Sequence, residues 1–66
     1  MHSVKVARVR AGMTLAELAD KSGVRPTTIS QIERGIREPH AQTLYKLALA
    51  LRVDAAALVE REKATA

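Results

Sequence analysis

The chain contains no cysteine. That excludes disulfides, cysteine-based zinc sites and a thiol nucleophile together, and it accords with a reducing cytoplasm. Tryptophan and phenylalanine are missing too, and Tyr45 is the single aromatic residue. A core must therefore be built from Leu, Ile, Val, Ala and Met, which suits short helices packed closely. No apolar run approaches the ~18 residues that span a membrane, so no membrane partner is expected. Lys5, Arg8 and Arg10 interrupt the N-terminal apolar residues, so no signal peptide is expected. His2 and His40, helped only by scattered carboxylates, are too few for a zinc site, and no metal or cofactor is expected. There is no Ser-His-Asp grouping of recognisable spacing and no phosphate-cradling glycine loop, so the chain does not read as an enzyme. Internal repeats and low-complexity tracts are absent.

What is present is compact. The 66 residues suffice for one domain, read as residues 1–66, and 47% of them are hydrophobic. Domains of this size bury only about 60% of the surface their unfolded chain exposes, so stability is marginal. The net charge of +4 favours polyanionic partners. Charge alone is a weak signal, and the positions of the charges matter more.

Gly12, Gly23 and Gly35 each follow a stretch with helical periodicity, which is where a helix closes in the left-handed conformation. The first helix is expected at about 4–11, with Ser3 as its N-cap and Val4, Ala7, Arg8 and Ala11 on one face. The second is expected at 15–22. Thr14 and Glu17 have capping-box spacing, and Met13 can pack on Leu18 as a staple. The third is expected at 26–34, with Pro26 at the first helical position. Ile29 and Ile32 face inward. Thr27, Thr28 and Ile29 are β-branched and lower its helix propensity, so its neighbours must hold it. Pro39 forbids helix just before it, making 35–39 a loop. A fourth helix is expected at 41–51. Asp54 then reads as the N-cap of a fifth at 55–61, with residues 64–66 fraying. The expected core is Leu15, Leu18, Ala19, Val24, Ile29, Ile32, Leu44, Leu47, Ala48, Leu51 and Leu58. Tyr45 fits either a core edge or a surface contact.

Two helices joined by a turn at Gly23 have the layout of a helix-turn-helix, whose second helix enters the DNA major groove. The stretch TLAELADKSGVRPTTISQIERG closely resembles the Cro/C1-type (XRE-like) family, which includes the lambdoid phage repressors and many small bacterial regulators. Arg8, the run Arg37-Glu38-Pro39 and the stretch YKLALALRV extend the resemblance over about residues 4–60. Arg25 stands where the family usually caps the third helix with Ser or Thr, and its side chain cannot accept a hydrogen bond. Pro26 stands where the family often has a polar residue, and Arg52 where glycine is common.

The resemblance implies an all-α fold, a compact five-helix bundle of the lambda repressor-like DNA-binding type. It implies a cytoplasmic, nucleoid-associated protein of bacterial or phage origin, and a sequence-specific regulator, a repressor above all, on double-stranded DNA. Pro26, Thr27, Thr28, Ser30 and Gln31 are then expected toward bases; glutamine can read an adenine edge in bidentate fashion, and threonine offers a hydroxyl and a methyl. Thr14 and Leu15, at the positive end of the second helix, are expected at phosphates, with Arg25, Arg34, Arg37 and His40. An Arg8–Glu33 salt bridge is implied between the first and third helices. One recognition helix reads few base pairs, so a homodimer on a palindromic operator is implied, with half-sites about 34 Å apart. Leu49, off the core stripe, and Val59 are the candidate dimer contacts. The alternative is a DNA-binding antitoxin, or a fragment of a larger regulator, with a protein partner defining its biology.

Overall fold

The structure is a computed structural model that describes residues 3–58. Four α-helices follow one another: α1 (Ser3–Arg10), α2 (Leu15–Ser22), α3 (Pro26–Glu33) and α4 (Ala41–Leu51). A 3-10 helix, Ala55–Leu58, closes the described chain. No described residue lies in a strand, and the domain is all-α.

Local chemistry sets the helix limits. At the start of α2 the Thr14 N–H donates to Glu17 Oε1 at 2.8 Å, and the Glu17 N–H donates to Thr14 Oγ1 at 3.1 Å. This reciprocal box satisfies two donors that the helix itself cannot. Gly23, at φ +75°, closes α2 by donating its N–H to the Ala19 carbonyl at 2.9 Å. Pro26 opens α3, and the preceding Arg25 makes no side-chain cap bond. The helix ends in a Schellman motif. The Gly35 N–H donates to the Ile32 carbonyl at 3.1 Å, and the Ile36 N–H to the Gln31 carbonyl at 2.9 Å.

The same motif ends α4, where the Val53 N–H donates to the Ala48 carbonyl at 3.0 Å and the Arg52 N–H to the Leu49 carbonyl at 3.3 Å. Here an arginine, not a glycine, holds the left-handed position, at φ +61°. A side chain in that conformation crowds its own backbone, costing roughly 1–2 kcal/mol.

The core lies where the helices converge. Val4, Leu18, Ala19, Ile29, Ile32, Leu47, Ala48, Leu51 and Leu58 are buried. Leu15, Val24 and Leu44 are half-buried against that cluster. Helix α2 packs on α3 and α4, while α1 packs on α3, α4 and the 3-10 helix. Ile29 and Ile32 are therefore the nails that hold α3 down. Each fully buried aliphatic side chain stabilises the fold by about 1.5–3 kcal/mol.

The first and third helices end one residue earlier than expected, at Arg10 and Glu33, and two further features differ from the sequence reading. Ser3 begins α1 instead of preceding it. In place of a fifth α-helix, residues 55–58 form a 3-10 turn, with the Ala57 N–H donating to the Asp54 carbonyl at 2.9 Å. Ala55–Ala57 bring only small side chains, and Leu58 is the one large residue of the segment that reaches the core. A short i→i+3 segment suffices to place it. The rest of the expected fifth helix, 59–61, lies outside the described residues. Among the described residues, no helix is long and apolar enough to cross a membrane.

Candidate nucleic-acid interface

Helix α3 is poor in helix formers, so its geometry depends on its attachments. Its inner side is nailed by Ile29 and Ile32, both fully buried. Its flank is tied to α1 through Arg8. The Arg8 Nε donates to Glu33 Oε2 at 2.7 Å, and Arg8 Nη2 donates to Glu33 Oε1 at 3.1 Å. This is a two-pronged guanidinium–carboxylate pair, the geometry that combines strength with directional control. The third prong, Nη1, donates to the Met13 carbonyl at 3.0 Å, just before α2. One arginine thus joins α1, the α1–α2 turn and α3. The side chains are only 15% exposed for Arg8 and 7% for Glu33. The hydrogen bonds to Glu33 raise the Arg8 pKa above its already high ordinary value; burial opposes this, and the charge of Glu33 adds to it.

With its inner side and flank occupied, α3 presents Pro26 and Thr27 exposed at its start and outer side, and Arg34 is exposed just past its C-terminal end. Thr28, Ser30 and Gln31 are half-buried. Thr27, Gln31 and Arg34 are spaced one and two turns apart, so they form a single outward ridge. Ser30 lies beside that ridge. Thr28 lies nearer the helix's packed side, so its access to a groove is narrower than that of Thr27. Arg25 is exposed where the chain enters α3, and Arg37 and His40 are exposed in the segment after it. Arginines therefore bracket the ridge at both ends, and a polyanion lying along it would meet positive charge at either end of a neutral polar strip.

Helix N-termini add donors. In α2 the capping box already uses the N–H groups of Thr14 and Glu17. Leu15 and Ala16 keep first-turn N–H groups with no acceptor inside the helix. At α3 and α4 the residues before the helices, Arg25 and His40, provide no side-chain cap. Their first-turn amides thus stay available for an anionic oxygen. Among the described residues, no group of His, Asp or Glu is placed to hold a metal ion.

This arrangement of two short helices, a glycine turn and an outward polar second helix matches a known family. The family model described as helix-turn-helix matches residues 4–58. The chain belongs to that family, of the Cro/C1 type. In its helix-turn-helix, α2 and α3 are the two helices of the motif and Gly23 closes the first of them. The chain is also similar to an uncharacterised HTH-type transcriptional regulator of Mycobacterium tuberculosis, found in strains CDC 1551 / Oshkosh and ATCC 25618 / H37Rv. In each strain's protein the identity is 41% over 58 residues, covering 88% of this chain and 41% of the relative. The chain thus spans less than half the length of these relatives. No solved structure matches it.

Two features of the helix-turn-helix region escape a reading by periodicity. The Met13 carbonyl takes part in the Arg8 junction, and a main-chain atom leaves no trace in residue type. Arg37 folds back on α3, where its Nη1 donates to Gln31 Oε1 at 3.4 Å. The path of the loop through Gly35 creates that pair, and Gly35, at φ +75°, is its one visible signal. Of the two candidate dimer residues, Leu49 is 62% exposed on α4, one turn from Tyr45 at 59%. Val59 lies outside the described residues. An open groove of about 420 Å³ runs between α1 and the end of α4, lined by Val6, Arg10, Leu51 and Val53 among others, with no residue from α3.

Proposed function

We propose that the domain binds double-stranded DNA in a sequence-specific way, laying α3 in the major groove, and serves as a transcriptional repressor. The observation that carries this reading is the ridge of Thr27, Gln31 and Arg34 on a helix whose opposite side is fixed by Ile29, Ile32 and the Arg8–Glu33 pair. Polar side chains on a rigidly seated helix can distinguish base edges, because direct readout needs donors and acceptors held in register. Pro26, Thr27, Thr28, Ser30 and Gln31 are the proposed base-side residues. Pro26 lacks an N–H, so it offers a base only an apolar contact, best met by a thymine methyl. The amides of Leu15 and its turn, with Thr14, Arg25, Arg34 and His40, are the proposed phosphate side.

The domain acts in this reading as a homodimer on a palindromic operator, with half-sites about one helical turn apart, roughly 34 Å. Exposed Tyr45 and Leu49, one turn apart on α4, support an isologous apolar contact. The short coverage of the M. tuberculosis relatives supports a second form of the same function, in which these residues are the DNA-binding part of a larger regulator. An antitoxin paired with a protein partner is the related alternative. A protein of this kind works in the cytoplasm on the nucleoid and needs no catalytic group.

Selection from a random duplex library tests the reading, followed by titration of the winning sequence at several salt concentrations. A palindromic consensus whose preference is lost in Gln31→Ala supports it. A salt slope of about −0.9 per phosphate contact then counts the charged contacts. Absence of any enriched sequence overturns it.

A further inference from the structure

Arg37 was expected at a phosphate, but its position against Gln31 suggests a different task. We infer that Arg37 is a positioning residue for base reading: it fixes the orientation of the Gln31 side-chain amide. This inference rests on the DNA-binding reading above. Three bonds connect the loop to Gln31. The Gln31 main-chain carbonyl accepts from the Ile36 N–H at 2.9 Å and from the Arg37 N–H at 3.3 Å. The Gln31 side-chain oxygen accepts from Arg37 Nη1 at 3.4 Å. The main-chain pair anchors the start of the loop, so the Arg37 side chain starts from a fixed piece of backbone within reach of the amide.

A glutamine amide has an acceptor end and a donor end of nearly equal size, so an exposed glutamine can present either to a base. A guanidinium has donors only. It therefore selects one of the two orientations, with the oxygen toward Arg37 and the NH₂ turned away from it. The carbonyl oxygen has a second lone pair, so the amide keeps both an acceptor and a donor for a base edge, in a set order. Order is what distinguishes bases, because adenine offers a donor and an acceptor in one sequence and guanine offers two acceptors. A glutamine free to turn over would present its donor and acceptor in either order, and only one order matches the adenine edge.

The test compares wild type with Arg37→Met, which keeps the apolar stem while removing charge and donors. The first readout is the full base-preference profile of the half-site. The expected result is roughly ten-fold weaker discrimination at the base pair that Gln31→Ala also flattens, with other positions unchanged. In the Gln31→Ala background, Arg37→Met should leave the profile as it was. A uniform loss across all sequences, with the salt slope reduced by about one and the profile intact, would make Arg37 a phosphate contact and overturn the inference. The second readout needs no DNA: nuclear magnetic relaxation of the Gln31 side-chain NH₂, expected to be more mobile in Arg37→Met. Equal mobility in the two proteins also overturns it. Failure of wild type to select any sequence removes the DNA-binding reading, and this inference with it, whatever Arg37→Met does.

Discussion

Glu33→Ala is the most informative single substitution in this domain. It leaves the Arg8 guanidinium largely buried, with its carboxylate partner gone. Breaking one side of a buried ion pair typically costs about 3–5 kcal/mol, because a charge is left uncompensated. Two features of this site reduce that figure. Arg8 keeps its bond to the Met13 carbonyl, and its side chain retains 15% exposure, through which water can reach it. The expected loss is therefore about 2–4 kcal/mol. Total stability of a 66-residue domain is on the order of 3–10 kcal/mol. The melting midpoint should fall by roughly 10–25 °C, followed by circular dichroism, and the urea midpoint should fall with it. A loss below about 1 kcal/mol would refute the idea of an isolated, poorly hydrated pair.

A companion variant separates stability from positioning. Arg8→Met with Glu33→Leu removes both charges and refills the space with apolar atoms. Such exchanges are often neutral or stabilising, so the double variant should melt within a few degrees of wild type. If the pair sets the pose of α3, the double variant should nevertheless bind its operator about ten-fold more weakly. Unchanged stability with unchanged affinity would reduce the pair to a packing feature. The arginine's raised pKa means that its contribution is present below its unfolded-state pKa and is lost only as pH rises through the still higher folded value. No pH dependence from Arg8 is therefore expected near neutrality.

Arg52→Gly should raise stability by about 1 kcal/mol, since the left-handed strain of roughly 1–2 kcal/mol exceeds the added entropy of an unfolded glycine; an unchanged or lower melting midpoint would contradict this. Thr14→Ala breaks the capping box and should cost about 1 kcal/mol in urea unfolding, whereas Thr14→Ser should cost less. Leu49→Glu should leave the melting curve within ~0.5 kcal/mol, as Leu49 is exposed, while shifting a homodimer toward monomer in sedimentation. A dimer that survives Leu49→Glu would move the interface away from this face of α4.

Features encoded in short range were legible from the sequence. The capping box needs only Thr14 and Glu17 three residues apart, and the limits of α2 and α4 follow from caps and periodicity. Ile29 and Ile32 were readable as core because their spacing leaves them on one side of a short helix. Other features depend on where distant segments end up. Leu15, Val24 and Leu44 have the right pattern for the core, yet they sit at its edge and stay half-buried. Val4 reaches the centre because α1 lies across α3, α4 and the 3-10 helix. The left-handed Arg52 was flagged only as a departure from glycine, since an arginine carries no local mark of that conformation. The Arg37–Gln31 pair is invisible for the same kind of reason: both residues read well as solvent-facing, and only the loop path brings them together.

The way α3 is held bears on how such a domain can change its target. Its attachments are Ile29, Ile32 and Glu33, together with the closing bonds through Gly35 and Ile36. None of the side chains at Thr27, Ser30 or Arg34 takes part in any of these attachments. Substitutions on this part of the ridge should therefore cost little stability, within about 0.5 kcal/mol each, while altering what the helix offers a groove. Gln31 differs, because its main chain closes the Schellman motif and its side chain meets Arg37. A change of the Gln31 side chain alters the ridge and removes the acceptor of the Arg37 guanidinium at once. If α3 reads bases as proposed, preference at the Gln31 position should be redesigned by changing Gln31 and Arg37 together, whereas Thr27 should be exchangeable alone.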